Sequence, residues 1–202
     1  MQRYDYLKAI AGDTGDALAV CTGWAAREWW AVRPGEGNLK TRTLGLVSSI
    51  AAGLAIALPH RKVIAIDGDG AFLMNLCGLP TIAQQNPGNF VHLLFDNEVF
   101  EASGGTATAS RHCDAVALAK AAGYKRALWV KTPAEFRSEF IRVREKNELT
   151  LLAVKVEPGQ PKDLPPLKLD ELENKYRFMR YLEATEKQSI LNPGFDSKID
   201  RS

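Results

Sequence analysis

The residues whose types and spacing could do chemistry are Gly68-Asp69-Gly70 and, after 26 intervening residues, Asn97. Glycines at 68 and 70 remove Cβ atoms, so the backbone can turn tightly and come close to a ligand. Asp69 is then a lone carboxylate among bare backbone N–H groups, a setting for a hard cation that in turn neutralises a phosphate. Asn97 offers a second, neutral oxygen. Mg²⁺ takes six oxygens and commonly keeps phosphates among them. One carboxylate, one amide, one main-chain carbonyl and a diphosphate therefore make a workable set.

Two elements must hold these residues. Apolar runs at 63–66 and 91–95 end at the Gly-Asp-Gly and at Asp96-Asn97. Runs of this length, separated by room for a crossover helix, read as neighbouring parallel strands. Strands so arranged present their carboxyl ends along one edge, where ligands of open α/β sheets bind.

Gly-Asp-Gly followed some two dozen residues later by asparagine resembles the thiamine-diphosphate motif, with Asp96 standing where the first of a usual asparagine pair belongs. The surrounding TRTLGLVSSIAAGLAIALPHRKVIAIDGDGAFLMNL resembles the diphosphate-binding domain of thiamine-diphosphate-dependent enzymes. The likeness is nearest to sulfopyruvate decarboxylase beta subunits and phosphonopyruvate decarboxylases, and covers residues 4–156. It implies Mg²⁺ ligands at Asp69, Asn97 and the main-chain oxygen of Val99. It implies cofactor contacts at Thr22, Gly23, Arg42, Leu44, Gly45, Gly68, Asp69, Gly70, Ala71 and Asn97. Leu44 stands where the family has the bulky apolar residue that bends the cofactor; by itself it would read as ordinary core. Arg42 replaces a frequent glycine, so only its main chain is carried over. Thr106 and Ala107 depart from the glutamine and proline usual in the family's glycine-rich loop, and Ser103 stands where some decarboxylases place a glutamate. Ser103 and His112 remain as candidates for catalytic contact, although a lone histidine is more often a surface or capping residue.

The family activates its cofactor with a glutamate in a separate pyrimidine-binding domain. A chain of 202 residues has room for one such domain, so the resemblance implies half a site. The expected partner is a pyrimidine-binding subunit in a hetero-oligomer, α2β2 or larger. The implied reaction is decarboxylation of a small 2-oxo acid, with thiamine diphosphate as electron sink. The alternatives are carboligation, as in acetolactate synthases, and a non-catalytic subunit that keeps the cofactor fold. There is no GxGxxG after a strand and no GxxxxGK[ST], which argues against a nucleotide-binding fold.

Composition agrees with an ordinary globular chain: 46% apolar, 25% charged, net charge +2. Nothing in that balance calls for nucleic acid or an acidic membrane. The start MQRYDYLKAI has no apolar signal core, and no run of about 20 apolar residues is present. Cys21, Cys77 and Cys113 form no CxxC pair, which argues against zinc or iron–sulfur frameworks and for reduced thiols in the cytoplasm.

Alternating signals from 18 to 156 predict an α/β fold: a doubly wound, mostly parallel sheet with helices on both faces. Helices are expected at 4–11 (Tyr4, Leu7 and Ala11 inward), 25–31, after a loop in 41–58, before a turn at 86–89, at 114–123 and at 134–146. Strands are expected at 18–22, 127–130 and 150–156, besides the central two. Of Trp29 and Trp30, one should face outward, where it could meet another subunit. Residues 101–109 read as a flexible polar loop. Residues 1–156 are expected to form the cofactor domain and 157–168 a proline-rich linker. The stretch 169–202 should be a helix and tail, with Leu172, Tyr176, Met179 and Leu182 as the helix's apolar stripe. The tail beyond Asn192 reads as polar and disordered.

Overall fold

A computed structural model describes residues 1–190; the expectation for the tail lies outside them. In chain order, α1 (Arg3–Ile10) is followed by β1 (Leu18–Thr22), α2 (Gly23–Val32), β2 (Asn38–Thr41), α3 (Val47–Ala57), β3 (Val63–Gly68), the short α4 (Asp69–Leu73), α5 (Gly78–Gln85) and β4 (Phe90–Asp96). A small hairpin of β5 (Val99–Phe100) and β6 (Thr106–Ala107) comes next. Then follow α6 (Ala115–Ala121), β7 (Arg126–Val130), α7 (Pro133–Lys146), β8 (Thr150–Lys155) and α8 (Glu171–Glu186).

Six strands form one sheet in the order β2-β1-β3-β4-β8-β7, every neighbouring pair parallel. Strands covered on both faces read as continuous apolar runs, and β1 and β4 are buried at every position. Alternate side chains divide between two cores. Leu18, Val20, Ala65, Leu94 and Leu151 pack with α3, α5 and α6; Ala19, Cys21, Ile64, Ile66, Leu93 and Leu152 pack with α1, α2 and α7. The doubly wound fold expected from the sequence is therefore the one observed. Among the described residues, no helix is long and apolar enough to cross a membrane. Cys21 is buried in β1, Cys77 and Cys113 are exposed, and all three are free thiols.

Local signals explain most boundaries. The Asp114 carboxylate accepts from the N–H groups of Val116 and Ala117, and the Thr132 hydroxyl from Glu135, just before Pro133 opens α7. Each such cap contributes about 1 kcal/mol. Pro80 lies in the first turn of α5, and Asn86 ends that helix in the left-handed conformation, φ 47°.

Several expectations need correction. The β3–β4 crossover is two helices, not one, broken between Leu73 and Gly78. The inward face of α1 is Arg3, Tyr6, Leu7 and Ile10 rather than Tyr4, Leu7 and Ala11, because a buried ion pair draws Arg3 inward and shifts the phase. Trp29 is fully buried and donates from Nε1 to Asn38 Oδ1 at 2.9 Å, whereas Trp30 is half-buried against the same core. Strand β2 and the β5–β6 hairpin carry too few apolar residues to be read in advance.

The stripe expected on α8 holds at Leu182, with Met179 half-buried, but not in its first two turns. Leu172 and Tyr176 are exposed, and Asn174, Phe178 and Leu182 face inward. Asn174 sets that phase. Its Oδ1 accepts from Lys40 N at 2.6 Å and its Nδ2 donates to Asn38 O at 3.0 Å, closing the open edge of β2 as another strand would.

Candidate functional site

Strands β3 and β4 lie side by side with Gly68 opposite Phe95, so Asp69 and Asp96-Asn97 emerge together at the carboxyl edge. The chain runs from β1 outward to β2, then back across to β3 on the other side of β1. That reversal makes a topological switch point, where open α/β sheets bind ligands.

A cleft opens at this place. From the residues singled out in the sequence it gathers Thr22, Gly23, Leu44, Gly68, Asp69, Gly70, Ala71, Asn97, Val99 and Ser103. Three others lie elsewhere. Arg42 has a largely exposed side chain that pairs with Glu171 at 2.8 Å. Gly45 stands behind Leu44 with φ +84°, and its carbonyl accepts from Asn75 Nδ2 at 2.7 Å. His112 is exposed at the end of a 3-10 turn and does not line the cleft. Leu44, 39% exposed, is not the core residue that its type alone would suggest.

Each position has a local cause. Thr22 ends β1 and donates from Oγ1 to Thr41 O at 2.8 Å, while Gly23 opens α2 at φ +56°. Gly70 is required by contact: a Cβ there would collide with the Phe100 ring, which forms part of the wall. Asn97 Oδ1 accepts from Val99 N at 3.1 Å. Between them Glu98 takes a left-handed conformation, φ +62°, uncommon for a residue with a side chain and a sharp bend in the segment.

Asp69 is 3% exposed. Burial, and secondarily the charge of Asp96, push its carboxyl above the usual carboxylate range, against hydrogen bonds from Thr108, Ser110 and the Asn97 N–H. Thr108 Oγ1 donates to Asp69 Oδ2, stands 2.8 Å from Ser110 Oγ, and Ser110 in turn donates to Asp96 Oδ1 at 3.0 Å. Lys155 pairs with Asp96 at 2.7 Å and with Glu98 at 2.9 Å. Lys155 thus neutralises Asp96 while Arg111 also reaches Glu98, at 3.1 Å, and Asp69 is left with hydroxyls and an amide N–H.

In the opposite wall two carboxylates share one cation. Arg3 donates from Nε to Glu28 Oε2 at 2.6 Å and from Nη2 to Glu28 Oε1 at 2.9 Å, and both Nη atoms reach Glu101 Oε2 at 3.2 Å. The second oxygen of Glu101 accepts from Gly159 N. Arg3, Glu28, Thr108, Ser110 and Lys155 were not singled out in the sequence. Their partners lie from 14 to 98 positions away, and no local spacing announces them.

The donor set fits a divalent cation carrying an anionic ligand. It holds one buried, undercompensated carboxylate, an amide oxygen beside it and a main-chain oxygen at the bend. Among the described residues no group of three or more His, Cys, Asp or Glu could enclose a metal, so the remaining oxygens must come from elsewhere. Mg²⁺ bound with a diphosphate has that requirement.

Residues 18–154 match the family described as thiamine pyrophosphate enzyme, C-terminal TPP binding domain. The chain is 31% identical over 191 residues to the sulfopyruvate decarboxylase subunit beta of Methanothermobacter thermautotrophicus, covering 92% of this chain and 98% of that one. It is 30% identical to the phosphonopyruvate decarboxylase of Streptomyces hygroscopicus, covering 84% of this chain and 42% of that protein. Its fold resembles the thiamine diphosphate-dependent 4-hydroxybenzoylformate decarboxylase of Rhodococcus jostii RHA1, with TM-score 0.67 at 18% identity, covering 80% of this chain and 33% of that one.

Proposed function

Since the chain belongs to the thiamine pyrophosphate enzymes through their C-terminal TPP-binding domain, we propose that it is the diphosphate-binding subunit of a two-subunit 2-oxo acid decarboxylase. One observation carries this reading. The chain aligns over 98% of a sulfopyruvate decarboxylase beta subunit but only 42% of a phosphonopyruvate decarboxylase. A protein that matches a named subunit end to end, and less than half of a longer decarboxylase, supplies part of a site.

The cleft supports the assignment residue by residue. Asp69 and Asn97 side-chain oxygens and the Val99 carbonyl would hold Mg²⁺. The unencumbered backbone of Gly68 and Gly70 leaves space for a diphosphate, and the α2 N-terminus at Gly23 favours its negative charge. Leu44, exposed toward the cleft, would support the organic part of the cofactor. Bound thiamine diphosphate supplies the electron sink for loss of carbon dioxide. Phe95, Phe100 and Trp24 keep the wall apolar and limit water. Ser103 is the polar side chain on the hairpin side and is the candidate for substrate contact. A pyrimidine-binding partner would close the open side and bring the activating glutamate. The cleft's own cation, Arg3, is occupied by Glu28 and Glu101, so a sulfonate or phosphonate on the substrate would be recognised by the partner.

The test is to purify the chain with the protein that accompanies it. Thiamine diphosphate is then measured by mass, and carbon dioxide release from 2-oxo acids bearing a sulfonate, a phosphonate or neither is followed. Retained cofactor and decarboxylation of one of these are expected. Asp69→Ala should lower Mg²⁺-dependent retention by more than the roughly 10–100-fold typical of losing an outer-shell partner. Full retention by that variant removes the metal assignment, and absence of cofactor in the wild-type complex removes the reading altogether.

A further inference from the structure

We propose that Thr108 is a positioning residue that sets the distance between the two cation-bearing segments and so makes the site prefer Mg²⁺ to a larger ion; this rests on the cation assignment above. Thr108 is 5% exposed and reaches both segments at once. Its backbone N–H donates to Glu98 O at 2.9 Å, between Asn97 and Val99. Its hydroxyl donates to Asp69. One residue therefore spans the tip of β3 and the bend after β4, gripping each by a different group. The Ser110 backbone N–H, which donates to Thr108 Oγ1 at 3.4 Å, orients the Thr108 side chain.

The consequence for the cation is geometric. Mg²⁺ requires near-octahedral oxygens at about 2.0–2.1 Å, whereas Ca²⁺ accepts about 2.3–2.6 Å in flexible arrangements. Asp69 is the first residue of α4, only five residues long, and Asn97 lies on an irregular segment. Neither is held apart from the other by regular ladder bonds beyond Gly68 and Phe95. Past that point the Asn97 N–H to the Asp69 carboxylate and the Thr108 clamp join them, so loosening the clamp leaves a single bond between the segments, lets the oxygens spread and penalises the smaller ion first.

The experiment uses the full chain assembled with its partner. Thiamine diphosphate retained after gel filtration is measured by mass as MgCl₂ or CaCl₂ is titrated. Thr108→Val keeps the N–H and the shape but removes the hydroxyl. The Mg²⁺ concentration for half-retention should rise about 10–100-fold, the usual effect of an outer-shell partner, and the Ca²⁺ concentration much less. Thr108→Ser should restore the wild-type preference. Thr108→Ala, smaller and without a buried methyl beside a carboxylate, gives the same measurement if the valine variant does not assemble. An equal rise for both ions would mean a merely structural role and overturns the inference, as does no change for either. Wild-type complex that retains cofactor with neither ion overturns the cation assignment itself, which a failure of Thr108 alone would leave standing.

Discussion

Asn89 and Asp69 are both buried polar residues at the ends of the two central strands, one before β4 and the other after β3. The Asn89 amide is used up. Its Nδ2 donates to the carbonyls of Ala55, Leu58 and Arg61 at 2.7–3.0 Å, tying the end of α3 and the turn after it to the sheet. It is neutral and its partners are carbonyls without charge. Asp69 has the opposite balance, a buried negative charge facing hydroxyls and a second carboxylate. Burial of a charge without a counter-ion is costly. At the amino edge polarity serves the fold; at the carboxyl edge it is left incomplete, and the incomplete place is where a ligand fits. Arg3, shared by Glu28 and Glu101, shows that the same cleft supplies a counter-ion to its other buried carboxylates.

That contrast can be tested from the largest effect downward. Arg3→Ala leaves the Glu28 and Glu101 carboxylates without their shared counter-ion, and breaking a buried pair costs about 3–5 kcal/mol. Urea unfolding should show a loss of that size, and a change below about 0.5 kcal/mol would mean Arg3 is not their counter-ion as described. Asn89→Ala removes both N–H donors that serve the Ala55, Leu58 and Arg61 carbonyls, of which Leu58 O keeps Arg61 N, and should cost about 2 kcal/mol, with cofactor retention in the assembled complex unchanged. A selective loss of cofactor binding in that variant would erase the distinction between the two edges. The smallest effect is the titration of Asp69. Its folded-state carboxyl is raised, first by burial, so its contribution to stability is present below the unfolded-state value and is lost as pH rises through the folded one. Without divalent cations, wild-type protein should therefore lose stability over that interval relative to Asp69→Asn, which does not titrate. Parallel pH–stability curves for the two proteins would contradict the environment assigned to Asp69.

The fold was legible where the chain is monotonous. The apolar runs ending at Gly68 and Asp96 have no other use than buried parallel strands, and Asp114, Pro133 and Asp170 mark helix starts by chemistry that acts within a few residues. The adjacency of Asp69 and Asn97 followed from those two strands. What could not be read depends on distant partners. Strand β2, Asn38-Leu39-Lys40-Thr41, exists as a covered edge because Asn174 hydrogen-bonds to it, and nothing within four residues says so. The phase of α8 was misjudged for the same reason, since the sequence suggests a stripe of Leu172 and Tyr176 while a polar side chain decides the matter. Thr108 and Ser110 look like any hydroxyls after a glycine-rich loop until the 39-residue return to Asp69 is seen. His112, chosen by residue type alone, lies outside the cleft.

Helix α1 packs on α7: the Tyr6 ring meets Phe136 edge-on at 5.5 Å between centroids, and the Tyr6 hydroxyl donates to Lys131 O at 2.9 Å. Helix α1 thus leaves the ribosome well before the helix it rests on, since Tyr6 and Lys131 lie 125 residues apart. At roughly 5–20 residues per second, Tyr6, Leu7 and Ile10 stay in water for on the order of ten seconds before their cover is made, an interval in which a chaperone, or the wrong neighbour, can reach them first.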